Sequence, residues 1–196
     1  MKKQNNFLQR ATIAFTFFTM LLLAVSCQQS GKQEPNTPAN NARPSPPKVD
    51  IHTAVTEGNV KAVQQHIAAG TNIDEKDPFG GSSPLISACL FGKTDIAKLL
   101  IDAGANLNFI NNDGSTPLIT AAFFCRPDIV KMLLEKKADK TIRNKYGQNA
   151  YESVAAPFAE VKESYDGLGK MLAPMGLKLD YAYLEKTRPE IAALLK

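Results

Sequence analysis

Ser83-Pro84-Leu85-Ile86-Ser87-Ala88-Cys89 returns at an offset of 33 as Thr116-Pro117-Leu118-Ile119-Thr120-Ala121-Ala122. In the same register, Asp95-Ile96-Ala97-Lys98-Leu99-Leu100 falls over Asp128-Ile129-Val130-Lys131-Met132-Leu133, and Ala105-Asn106-Leu107-Asn108 over Ala138-Asp139-Lys140-Thr141. Gly81, Gly114 and Gly147 keep the same spacing. Self-similarity at a fixed period of this length marks a solenoid, whose units bury their apolar faces against neighbours rather than alone.

Each position has a physical reading. Ser or Thr before Pro opens a helix, because the hydroxyl accepts from free backbone N–H groups and Pro fits the first turn. Ala54, Ala88 and Ala121 are small enough to let neighbouring helices approach, and Gly92 and Gly104 sit where helices end in a left-handed residue. Leu99, Leu100, Met132 and Leu133 form the apolar seam of a second helix. Asn72-Ile73-Asp74 and Asn106-Leu107-Asn108 start the turn into the next unit. A weaker unit comes first: Ile51-His52-Thr53-Ala54 aligns on Leu85 to Ala88, with Gly58 and Gly70 matching Gly92 and Gly104 at an offset of 34. Gln64, Gln65 and His66 stand where its second helix should be oilier, as on the wet outer face of an N-terminal cap.

The last unit opens at Gly147-Gln148-Asn149-Ala150 and loses its second helix until Pro189-Glu190-Ile191-Ala192-Ala193-Leu194-Leu195. The gap exceeds the spacing from Pro117 to Pro127 by 29 positions. Inside this insertion Phe158, Val161, Tyr165, Leu168 and Leu172 are spaced as one face of a helix. That face is expected to cover the bare end of the final repeat. Thr187 with Glu190 three positions later predicts a capping box that opens the final helix.

Over residues 49–156 the chain resembles ankyrin-repeat proteins, and its elaborated ending resembles a subset of bacterial ones. The resemblance implies an all-α solenoid of about four helix-turn-helix repeats with β-hairpin fingers. Their bounds are about 49–80, 81–113, 114–146 and 147–196, with the insertion at about 157–187. It also implies that His52, at the helix-start position, hydrogen-bonds between turns. Partner binding in such stacks falls to finger tips and to exposed positions of the first helices. Here those are Phe79, Leu90, Phe91, Phe123, Phe124 and Tyr146, and exposed apolar groups of this kind mark contact surfaces.

Residues 1–26 have a basic start and a 15-residue uncharged run, Ala11 to Val25, too short for the roughly 20 residues of a membrane span and typical of a signal peptide. Leu23-Ala24-Val25-Ser26-Cys27 resembles the lipobox of bacterial lipoproteins, which implies a lipid on Cys27. Gln28, in place of the Asp that favours inner-membrane retention in that family, implies the outer membrane, facing the periplasm. Residues 27–48, rich in Pro, Asn and Gln, are expected to be a disordered tether.

The net charge is +4, but outside the signal segment 20 basic groups face 19 acidic ones, so the basic balance is no nucleic-acid footprint. Three cysteines and two histidines supply neither a disulfide framework nor a convincing metal set. Cys89 takes a core Ala position and Cys125 the place of a helix-ending Gly. Repeat geometry holds the two too far apart to bridge. Gly167-Leu168-Gly169-Lys170 lacks the spacing of a phosphate loop and falls inside the expected insertion helix. No catalytic residue, metal or cofactor is assigned, and a monomer is expected. The sequence therefore reads as a lipid-anchored protein-interaction module of the bacterial envelope with an unknown protein partner. An accessory or immunity-type protein that stabilises or inhibits one envelope enzyme is the alternative.

Overall fold

A computed structural model describes residues 43–196; Cys27, the signal segment and residues 27–42 of the expected tether lie outside the described residues. Four helix pairs follow one another along the chain. The first is α1 (Ile51–Glu57) with α2 (Val60–Ala69), the second α3 (Pro84–Phe91) with α4 (Thr94–Asp102), and the third α5 (Pro117–Phe123) with α6 (Pro127–Glu135). The fourth joins α7 (Ala150–Ala155) to α9 (Tyr181–Leu195), with α8 (Phe158–Leu172) and a short 3-10 turn, Ala173–Met175, between them.

Inner helices α1, α3, α5 and α7 pack in a row, and outer helices α2, α4, α6 and α9 in a second row behind them. The sequence explains both. Ser83 and Thr116 accept from the N–H groups of Ile86 and Ile119, ahead of Pro84 and Pro117. Ala54, Ala88 and Ala121 are fully buried between inner helices, where larger side chains would hold the rows apart. Leu100, Ile96, Ile129 and Leu133 carry the outer helices onto the same core.

Several expectations are corrected. The fingers are turns and carry no β-strand among the described residues. Asp77, Asn111 and Asn144 explain this: their side chains accept the N–H groups of Phe79, Gly80 and Ser82, of Asp113 and Ser115, and of Tyr146 and Gln148. Those N–H groups are then not free for a ladder. The first finger holds one extra residue between Asp77 and Gly81, which accounts for the offset of 34 in the first repeat.

His66 is buried rather than wet. Its Nε2 meets the Val49 carbonyl at 2.8 Å and its Nδ1 the Thr71 hydroxyl at 3.1 Å. A carbonyl only accepts, so Nε2 carries the proton. Gln64 and Gln65 are exposed as expected. His52 makes no inter-turn hydrogen bond: both ring nitrogens are shielded without a partner. In this repeat the cap has moved one residue, to Asp50, whose carboxylate accepts from the Thr53 N–H.

The final helix also starts earlier than Pro189. Asp180 caps α9, and Thr187 is buried in mid-helix, so Thr187 and Glu190 form no capping box. Pro189 leaves one carbonyl, that of Glu185, without its helical donor. The second helix thus resumes about two turns before the expected end of the insertion.

Candidate interaction surface

The inner helices end on one side of the stack and the fingers begin on the other. At the helix-ending side, α1 and α3 stop at the left-handed Gly58 and Gly92, with φ of 77° and 65°. Lys93 packs over Gly58 and Arg126 over Gly92, one repeat apart. Cationic groups suit helix C-termini, where carbonyls lack donors. Arg126 donates to the Leu90 carbonyl at 3.1 Å, and burial pulls its pKa below the usual value.

Arg188 does the same job for α7, from farther along the chain. It is only 2% exposed and donates to the Ala156 carbonyl at 3.0 Å and the Ser153 carbonyl at 3.4 Å. A third donor meets the Tyr165 hydroxyl at 2.8 Å, and that hydroxyl donates to the Phe123 carbonyl at 2.5 Å. Burial pushes the Tyr165 hydroxyl well above the ordinary phenol range. One arginine therefore ties α9, α7, α8 and, through Tyr165, the last residue of α5.

This tie decides what the expected partner residues do. Phe123 stacks on Tyr165 at 4.6 Å between centroids and meets Phe124 edge-on at 5.2 Å. Phe123 is mostly covered and belongs to the seat of α8, and Phe124 is buried beside it, so neither stands on an open face. Phe158 continues the row, stacking on Tyr165. The insertion folds back over the end of α5 instead of capping the far side of the last repeat. Phe158, Val161 and Tyr165 pack against the core, while Leu168 remains only partly buried. Helix α9, in the outer row, turns Glu185, Lys186 and Glu190 to the surface.

Leu90 and Phe91, one repeat earlier, have no such cover and stay half-buried beside half-buried Ser87. Phe79 and Tyr146 stand out at the tips of the first and third fingers, 88% and 75% exposed. The open surface is thus the inner row of the first two repeats plus the finger tips. Sequence reading missed Arg188, although Leu184, Thr187, Arg188, Ile191 and Leu195 share one helical face across Pro189.

Cys89 and Cys125 are buried free thiols, and Cys125 takes the left-handed φ of 54° that its Gly-like position requires. Gly167 to Lys170 lie within α8. Among the described residues no three His, Cys, Asp or Glu side chains gather where they could hold a metal ion.

Residues 51–144 match a family model described as ankyrin repeats, three copies. Protein phosphatase 1 regulatory subunit 27 of Homo sapiens is 39% identical over 63 residues, and the Mus musculus protein of that name is 39% identical over the same length. In each case the similarity takes in 32% of this chain and 40% of the relative, so it spans less than half of either.

Proposed function

We propose that this chain, whose residues 51–144 are ankyrin repeats, is a non-catalytic protein-interaction module held at the bacterial envelope by a lipid on Cys27 and facing the periplasm. The observation that supports a binding role best is the difference between aligned residues. Phe123 is stacked on Tyr165 of α8 and Phe124 is buried beside it, whereas the aligned Leu90 and Phe91 stay part-exposed. Interface energy concentrates in a few such apolar anchors. The kind of protein named among the relatives, a regulatory subunit, favours a second reading: one dedicated enzyme partner bound in fixed ratio.

Two experiments test this. Leu90→Ser with Phe91→Ser should weaken partner capture from envelope extracts more than tenfold while leaving the melting temperature within a few degrees. Unchanged capture would move the binding face elsewhere. A single enzyme recovered at fixed stoichiometry would select the second reading. Separately, Cys27→Ser should abolish lipid-dependent processing and release the protein from washed membranes; normal maturation and retention of the variant would end the anchor reading.

A further inference from the structure

The most exposed large apolar side chains among the described residues are Phe79 and Tyr146, and Ile110 at the root of the middle finger is 48% exposed. None of the three joins the core. The tips that carry the aromatics are stiff. Asp77 and Asn144 clamp their own turns, and the Asn112 N–H donates to the Gly80 carbonyl at 2.9 Å and the Lys145 N–H to the Asp113 carbonyl at 2.9 Å, joining tip to tip. Neighbouring helices pack about 8–10 Å apart, so Phe79 and Tyr146, two repeats apart, stand about 16–20 Å apart along one edge.

The chain enters the domain on that same edge. Asp50 caps α1 as Ser83, Thr116 and Asn149 cap α3, α5 and α7, so residues 43–49 take the place that a finger takes in later repeats. Val49 is held by His66 near the end of α2, and Arg43 lies against Gly70, which ends α2. Residues 27–43 are all that joins Cys27 to this edge. A chain of that length with the coil composition read from the sequence would span about 22 Å, little more than the distance between the outer tips.

We propose that the finger edge faces the lipid surface that holds Cys27, with Phe79, Tyr146 and Ile110 entering the headgroup layer. The proposal rests on the lipid-anchor reading. Aromatic side chains favour this layer, and a short leash turns a weak contact into an intramolecular one with a high effective concentration. The stiff turns lose little freedom on contact. Across the three fingers Asp74, Glu75, Asp77, Asp113 and Asp139 stand against Lys76, Lys140, Arg143 and Lys145, so the fingers are nearly neutral and the contact is apolar and insensitive to salt. With the tips on lipid, the row of Ser87, Leu90 and Phe91 remains open to a protein partner.

The chain has no tryptophan, so Phe79→Trp is a single reporter. The lipidated full chain is bound to vesicles of phosphatidylethanolamine and phosphatidylglycerol containing brominated phosphatidylcholine. Emission should shift to the blue and be quenched at least twofold, unchanged in high salt. Lys98→Trp, on outer helix α4 where Lys98 is 64% exposed, should stay unquenched. Adding Tyr146→Ser to Phe79→Trp should reduce the quenching. A chain that floats with the vesicles while Phe79→Trp is no more quenched than Lys98→Trp overturns the proposal and leaves the tips to a protein partner. Failure of the anchor reading looks different: the chain is not acylated and does not float. Emission of Phe79→Trp at millimolar vesicle lipid then decides the tips alone, quenching keeping the proposal and its absence overturning it.

Discussion

Cys89 and Cys125 show how much a repeat register can reveal about a single residue. Register alone puts Cys89 in the core and Cys125 in a left-handed turn, and both are so. Register does not reveal what each touches: the Cys125 thiol lies 3.8 Å from the Leu184 carbonyl of α9, an element outside the regular repeat. Burial, the largest cause, raises the Cys125 thiol from 9.0 to about 11 and pushes Cys89 higher still. An unfolded thiol ionises from about pH 9 upward while the folded one keeps its proton. The stabilisation is therefore complete below about pH 9 and is lost as pH rises through about 11. The melting temperature should fall across this window, and by more than in a Cys89→Ala variant, which has no thiol there to ionise. Parallel pH profiles for the two proteins would show that Cys89 is not held protonated by burial. Phe123 and Phe124 carry the converse lesson. Their sequence positions match the exposed row, yet Phe124 is buried and Phe123 is covered by Tyr165, from a segment with no aligned counterpart.

Among the elements, the fingers give the sharpest comparison. Gly114 and Gly147 both have positive φ, 77° and 76°, so a side chain at either costs about 1–2 kcal/mol of backbone strain. Their surroundings differ. A Cβ on Gly114 would sit 2.9 Å from the Lys145 nitrogen and 3.1 Å from the Asn144 Cα, both backbone atoms of the next finger, whereas a Cβ on Gly147 meets nothing within 4 Å. Gly114→Ala should thus cost about 1–3 kcal/mol more than Gly147→Ala, since overpacking against backbone has no cheap relief. Urea midpoints of the two variants measure the gap, and equal midpoints would mean that the tips yield without cost. The glycines are legible because they recur once per repeat; the close approach of one finger to the next is not, because it depends on stacking distance. Helix α9 misleads for a related reason. Alignment of Pro189 on Pro127 suggests a helix start, yet the apolar face from Leu184 to Ile191 continues through it.

At the scale of the whole molecule, the period dictates a stack and the excess spacing in the last unit locates the insertion, but nothing in a single-copy segment tells which way it folds. That direction makes the two ends of the stack unequal. Stability in a repeat array is the sum of each repeat's own stability and its nearest-neighbour interfaces, so terminal repeats are the weak ones. The first repeat has one neighbour and a seven-residue α1. The last has one neighbour too, but α8 reaches back to Phe123 of the third repeat, and Lys140 of that repeat donates to the Leu195 carbonyl at the end of α9. Amide exchange under native conditions should therefore be fastest in α1 and α2, with α7 and α9 protected nearly as well as α5. Arg188→Met should reverse this order. It leaves the Ser153 and Ala156 carbonyls and the Tyr165 hydroxyl without their donor in a buried site, a cost of about 1–3 kcal/mol for each group left unsatisfied. That loss should fall on α7, α8 and α9, while protection of α1 to α4 stays unchanged because those helices touch none of these groups. Wild-type exchange that is already fastest at the C-terminal end, or an Arg188→Met variant that loses protection evenly from α1 to α9, would mean that the buried arginine is not what holds the last repeat to the stack.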